Sequence, residues 1–271
     1  MQQVEFNVKN LTLKGTLFFP KKLRDKNPAI LFVHGWTSER IRSFQYAKSL
    51  AKLGYVSLVF DMKGHGDSEG DRNNFSPKDF MKDCKVAYDY LLQVKGVDKE
   101  NISLVGNSFG AYLGVILTSK RKIKNIVLRA PGNYPNDVFE KSKHLFSGST
   151  NTSIREWRKK LLNPDEAFAL QAASQFVGEV LIIESENDES IAHETIVNYM
   201  NAVSDISKVT HIVMKNAPHS ISEGPFRDMV EQILNNWFGD FFMKWKTEAL
   251  PKYKKIKAKN LISIIRKDRE R

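Results

Sequence analysis

Ser108, His219 and Asp188 are the side chains whose types and surroundings could together drive nucleophilic chemistry. A serine hydroxyl is a weak nucleophile until a neighbouring base takes its proton. Ser108 stands in Gly106-Asn107-Ser108-Phe109-Gly110, a G-x-S-x-G pattern preceded by Ile-Ser-Leu-Val and followed by Ala-Tyr-Leu-Gly-Val-Ile-Leu. Alone, the pentapeptide also describes an ordinary strand-to-helix turn with a capping serine. Its flanks predict a strand, a sharp turn and an apolar helix, the setting of a nucleophile elbow. Glycine is needed on both sides because so tight a turn leaves no room for side chains there. The start of the helix offers free N–H groups and a dipole that favour developing negative charge.

Of six histidines, His219 lies in the loop Asn216-Ala-Pro-His-Ser220, just past the last predicted strand, and is the expected base. His211 falls inside that strand and reads as a packing residue. His193 reads as a helix start, and His144 belongs to an inserted segment. Asp188 follows the preceding strand and is expected to orient the imidazole and stabilise its cation. Glu184, Glu186 and Glu189 crowd the same loop, so a solvated acidic turn competes with this reading and Glu186 is the substitute. The oxyanion donors are expected to be the backbone N–H groups of Phe109 and of Trp36. The latter sits in His34-Gly35-Trp36-Thr37, where glycine allows close approach. Such a donor is commonly worth about 2.7–4 kcal/mol of barrier. The side chains of Trp36 and Phe109 are expected to wall the substrate pocket, and His34 to brace its loop.

These residues need a scaffold. Residues 4–8 and 11–19 read as a hairpin around Lys9-Asn10. Strands are predicted at 29–33, 56–60, 102–105, 126–129, 180–183 and 210–214, with helices at 42–53, from Pro77 to about 94, from the elbow to about 118, and at 226–242. Ser76-Pro77 supplies a cap and a first-turn proline. Strands alternating with helices predict an α/β architecture, a mostly parallel sheet covered on both faces. Residues 132–178 are too long for a simple connection. They read as a small lid over the carboxyl ends of the strands, where such sheets bind ligands.

With His34-Gly35-Trp36, Asp61-Met-Lys-Gly64-His65-Gly66-Asp67-Ser68-Glu69-Gly70, the G-x-S-x-G turn, Asp188 and His219 in this order, the chain resembles the α/β-hydrolases. Within them it is most similar to the cinnamoyl/feruloyl esterase and acylaminoacyl-peptidase-like group, and less so to monoacylglycerol lipases. The resemblance covers roughly residues 5–240. It implies an eight-stranded sheet, a structural role for the D-x-x-G-H-G-x-S-x-G stretch, and neither a metal nor an organic cofactor. The expected reaction is hydrolysis of a small-molecule ester with a small to medium acyl group, through an acyl-enzyme. A thioesterase, peptidase or acyltransferase would use the same residues. A silent fold used only for binding is disfavoured by the complete Ser-His-Asp set, and aspartate-nucleophile chemistry by the serine at the elbow.

The chain has 271 residues, 41% hydrophobic and 27% charged, ordinary for a soluble globular protein. Neither a signal peptide nor a membrane-spanning run is evident, and the single Cys84 reads as a packing residue, so a cytoplasmic location is expected. The formal charge is +11, but residues 241–271 hold eleven Lys/Arg and three Asp/Glu, which leaves the body near neutral. The domain reading is therefore a hydrolase domain at 1–242 and a basic extension at 243–271. The extension reads as a solvated helix or as a peripheral contact with anionic membrane. No nucleic-acid partner is expected, because no groove-reading motif accompanies the charge. Oligomeric state is not legible.

Overall fold

The computed structural model describes residues 1–146, 152–221 and 224–239. The hairpin is β1 (Gln2–Val8) and β2 (Leu11–Phe18), turning at Lys9, whose φ is 54°. The sheet continues with β3 (Asn27–Val33), β4 (Val56–Phe60), β5 (Val97–Asn107), β6 (Asn125–Arg129), β7 (Glu179–Asn187) and β8 (Val209–Pro218). The eight strands lie in the order β1-β2-β4-β3-β5-β6-β7-β8. β2 runs antiparallel to β1 and β4, and every later pairing is parallel. This is the α/β-hydrolase fold.

The apolar runs in the central strands exist because both faces of the sheet are covered. Ile30 and Phe32 join Val59 and Ile183 under α1 (Phe44–Lys52) and α7 (Pro225–Phe238). Leu31, Leu58 and Leu104 face the other way. They pack beneath α2 (Pro77–Leu91), α3 (Phe109–Thr118), α5 (Phe168–Gln175) and α6 (His193–Ala202). Ser76 caps α2 by accepting the Asp79 N–H, and Asp79 returns the bond to the Ser76 backbone. Cys84 is buried in that helix.

Two details differ from the sequence pattern. The expected helix at 42–53 opens as a 3₁₀ turn, Arg40–Ser43, before α1 begins. Arg40 is drawn into the core there by Asp61, which takes its backbone N–H at 2.6 Å. The 132–178 segment is also not uniform. Its first part holds 3₁₀ turns at Asn136–Val138 and Lys143–Phe146 and the short helix α4 (Thr152–Arg158). Its last part, α5, packs against α3 and α6. The basic segment 243–271 lies outside the described residues. Among the described residues no helix is long and apolar enough to cross a membrane.

Candidate active site

β5 ends at Asn107 and α3 starts at Phe109, so Ser108 alone makes the turn, at φ 52° and ψ −112°. A non-glycine residue held there stores on the order of 1–3 kcal/mol. The surroundings over-determine it. Ser108 donates its N–H to the Arg129 carbonyl at 2.9 Å, and its own carbonyl accepts the Gly132 N–H at 3.0 Å. A Cβ on Gly106 would lie 2.5 Å from Ala111 Cα, and one on Gly110 would overlap the Val33 and His34 carbonyls. Both glycines of the motif are therefore steric necessities, Gly106 of packing β5 against α3 and Gly110 of packing α3 against the end of β3.

The Ser108 hydroxyl is 3.1 Å from His219 Nε2, and His219 Nδ1 is 2.7 Å from Asp188 Oδ2. The structure thus joins the three sequence-predicted residues in one relay. It also sorts the acidic loop. Asp188 is fixed through its other oxygen, which accepts the N–H groups of Ser190 at 2.8 Å and Ile191 at 2.7 Å. Glu186 instead takes the Asn216 N–H at 2.8 Å, and Glu189 the His219 N–H at 3.2 Å. Glu184 is bound by His193 at 2.6 Å and His211 at 2.7 Å, bonds that hold its carboxyl low against the opposing push of burial. Neither of these histidines reaches the relay.

The loop after β3 packs beside Ser108: a Cβ on Gly35 would stand 3.6 Å from Ser108 Cβ. The N–H groups of Trp36 and Phe109 donate to no group among the described residues. His34 braces the loop. Its Nδ1 donates to the Gly35 carbonyl at 2.7 Å while Nε2 accepts the Met62 N–H at 3.0 Å. Burial pushes its pKa down to about 3, which keeps it neutral. The D-x-x-G-H-G-x-S-x-G stretch supplies the floor. Buried Asp61 pairs with the Arg40 guanidinium and accepts the Asp67 N–H at 3.1 Å, and Ser68 Oγ donates to the Asp61 carbonyl at 2.7 Å. Gly66, at φ 49°, lies against the Asp61 carboxylate where no Cβ fits. The His65 ring bridges the Lys63 and Trp36 carbonyls. Lys63 forms a buried ion pair with Asp83 at 3.1 Å.

A cavity of ≈ 470 Å³ opens over this arrangement, with Trp36, Ser108, Tyr134, Lys143, Arg158 and His219 in its lining. The Phe109 side chain, expected in the pocket wall, is a correction: its ring is fully buried and stacks on Tyr112, behind Trp36. The elbow turns the Phe109 side chain into the core. Three functional candidates escaped the sequence reading. Arg129, at the end of β6, donates to Asn107 Oδ1 at 3.1 Å, Ser185 Oγ at 2.9 Å and the Pro218 carbonyl at 3.0 Å. It thereby ties together the ends of β5, β7 and β8 that lead to Ser108, Asp188 and His219. Lys143 and Arg158, from the 132–178 segment, are the other two. No three His, Cys, Asp or Glu side chains among the described residues gather as a metal site.

The family model for serine aminopeptidase, S33, matches residues 24–168. A thiohydrolase of Eupenicillium brefeldianum is 34% identical over 117 residues, 42% of this chain and 37% of that protein. The chain therefore spans little more than a third of that relative. A candidate esterase/lipase of Mycoplasma genitalium is 26% identical over 264 residues, 82% of this chain and 96% of that protein. Among solved structures, Est1E of Butyrivibrio proteoclasticus with bound ferulic acid superposes with a TM-score of 0.67 at 15% identity, covering 90% of this chain and 100% of that one. At that identity the likeness speaks for the fold.

Proposed function

The chain belongs to the serine aminopeptidase family of hydrolases, and from that premise we propose that it is a serine carboxylesterase acting through Ser108, His219 and Asp188. The observation that carries the reading is the unbroken relay, 3.1 Å from Ser108 to His219 and 2.7 Å from His219 to Asp188, with Ser108 and His219 lining a cavity.

His219 Nε2 takes the Ser108 proton as Oγ attacks the ester carbonyl. Asp188 holds the ring with Nδ1 protonated and stabilises the imidazolium that forms. The oxyanion is received by the N–H groups of Trp36 and Phe109, which are free to donate. As the intermediate collapses, the C–O bond to the alcohol breaks and the leaving oxygen takes the proton from His219. Water then gives a proton to His219, attacks the acyl-enzyme, and the acid departs as Ser108 regains its hydrogen.

The charge of the cavity supports an ester over an aminopeptidase substrate. Arg42, Arg129, Lys143 and Arg158 line it, against one carboxylate, Glu189. The free α-ammonium of an aminopeptidase substrate would be repelled there. The thiohydrolase relative favours a thioester as the second reading, since the same tetrahedral intermediate serves both. The test is fluorophosphonate labelling with turnover of p-nitrophenyl acetate and of an acyl-thioester. Ser108→Ala should abolish all three; retention of labelling or turnover sinks the assignment. The oxyester-to-thioester ratio of kcat/KM in the wild type separates the two readings.

A further inference from the structure

Five Lys and Arg side chains are deeply buried among the described residues, and three of them touch no carboxylate. Arg40 meets Asp61 and Asp67, Lys63 meets Asp83, and Arg129 is satisfied by three fixed neutral acceptors. Lys143 and Arg158 are only 1% and 3% exposed and line the cavity, yet neither touches a carboxylate. The Lys143 ammonium has one acceptor, the Phe146 carbonyl at a long 3.5 Å. Aromatic rings surround it instead: Phe146, Trp36, Tyr134 and Phe109, with centroids 4.6, 4.9, 5.1 and 5.3 Å away. Arg158 stacks on Tyr134 at 4.8 Å and donates to the Ser190 carbonyl at 2.8 Å. The Asn133 amide nitrogen, one residue before Tyr134, is also buried without an acceptor.

Ring faces attract a cation but do not replace the water it has lost. Burial and the neighbouring Arg158 push the Lys143 amine down to about 7. Two like charges buried against one Tyr134 ring, with no carboxylate beside them, are costly. An arriving anion removes that cost.

We propose that Lys143 and Arg158 form a carboxylate-binding subsite, so that the substrate is an ester carrying a free carboxylate on the part seated beneath the 132–178 segment. The substrate half of this statement rests on the esterase reading above; the subsite itself does not. A carboxylate suits the site better than a phosphate dianion, because the cost of taking an ion out of water grows as the square of its charge while its attraction to Lys143 and Arg158 only doubles.

Two matched ester pairs test it on the full chain. Mono-p-nitrophenyl adipate against its methyl ester places or masks the charge on the acyl side. The six-carbon diacid is chosen so that its carboxylate does not readily attack its own ester. 4-Acetoxyphenylacetate against its methyl ester does the same on the leaving-group side. In at least one pair the acid should exceed its methyl ester at least tenfold in kcat/KM, each normalised to its spontaneous hydrolysis. Lys143→Met should cut that ratio at least fivefold. Wild-type ratios within twofold for both pairs overturn the proposal, whether or not the variant folds. A second arm needs no catalysis. Ser108→Ala protein is titrated calorimetrically with adipate monomethyl ester, dimethyl adipate and inorganic phosphate. Binding of the monoester that dimethyl adipate does not match, and that weakens tenfold on adding Lys143→Met, supports the subsite. No preference for the monoester, or tighter binding of phosphate, overturns it. Loss of every ester activity with the calorimetric preference intact would instead condemn the esterase reading alone.

Discussion

Arg40 and Lys63 on one side of the site and Lys143 and Arg158 on the other are all buried cations, yet they are treated in opposite ways. The first two belong to the loops after β3 and β4 and are neutralised by Asp61, Asp67 and Asp83. Their charges are spent on holding Trp36 and the floor in place. The second two come from the inserted segment and meet rings and carbonyls only. A matched buried charge is architecture, whereas an unmatched one facing a cavity is a request for a ligand. Arg129 stands between these cases. Its acceptors are neutral, Asp188 attracts it without bonding to it, and burial lowers its pKa.

The largest test of that contrast is Asp61→Asn. It leaves the Arg40 guanidinium buried beside Asp67, which is itself 71% exposed, and should cost about 3–5 kcal/mol in urea denaturation. A loss below about 1 kcal/mol would mean that the neutralised side is not held by its charges. Next is Arg129→Met, expected to lower kcat about 10–100-fold with little change in KM, because three strand ends lose a common tie. An equal loss in KM would reassign Arg129 to substrate binding.

Lys143→Met should move stability the other way, raising it by about 1 kcal/mol at pH 6 in the absence of ligand. Between about 7, its value in the fold, and 10.5, its ordinary value, the folded chain binds fewer protons at this site than the unfolded chain. Wild-type stability therefore rises with pH across that window, and the advantage of the variant shrinks. Denaturation at pH 6 and pH 9 reads the sign; a gap that widens with pH contradicts it. The smallest expected effect is on specificity. The preference for the carboxylate ester should decline several-fold as pH rises through about 7, since kcat/KM reports the free enzyme. Burial pushes the neighbouring Tyr134 hydroxyl up, away from that range. A flat ratio would assign the preference to Arg158 alone.

The sequence was most informative where function is local. G-x-S-x-G between an apolar strand and an apolar helix specifies a backbone shape by itself, and Ser108 stands in that shape. Asp188 was harder to choose among four acids, because the choice depends on which of them β7 and the following turn aim at His219. Two backbone N–H groups on one oxygen settle the aim, and no pattern in the loop announces them. Lys143 was illegible for a different reason. It sits in a Lys- and Ser-rich stretch that reads as solvated, and its cage draws on rings at 36, 109, 134 and 146. Arg129 did leave a trace: a lone cation closing the apolar run Ile-Val-Leu-Arg at the carboxyl end of a buried strand.

The backbone bonds that hold Ser108 also make it a rung of the neighbouring strand. Its amide hydrogen rests on the Arg129 carbonyl, the last residue of β6. That hydrogen can trade with deuterated solvent only when the elbow lifts from β6. A single peptide mass therefore clocks how often Ser108 leaves its station, in a resting protein with nothing bound.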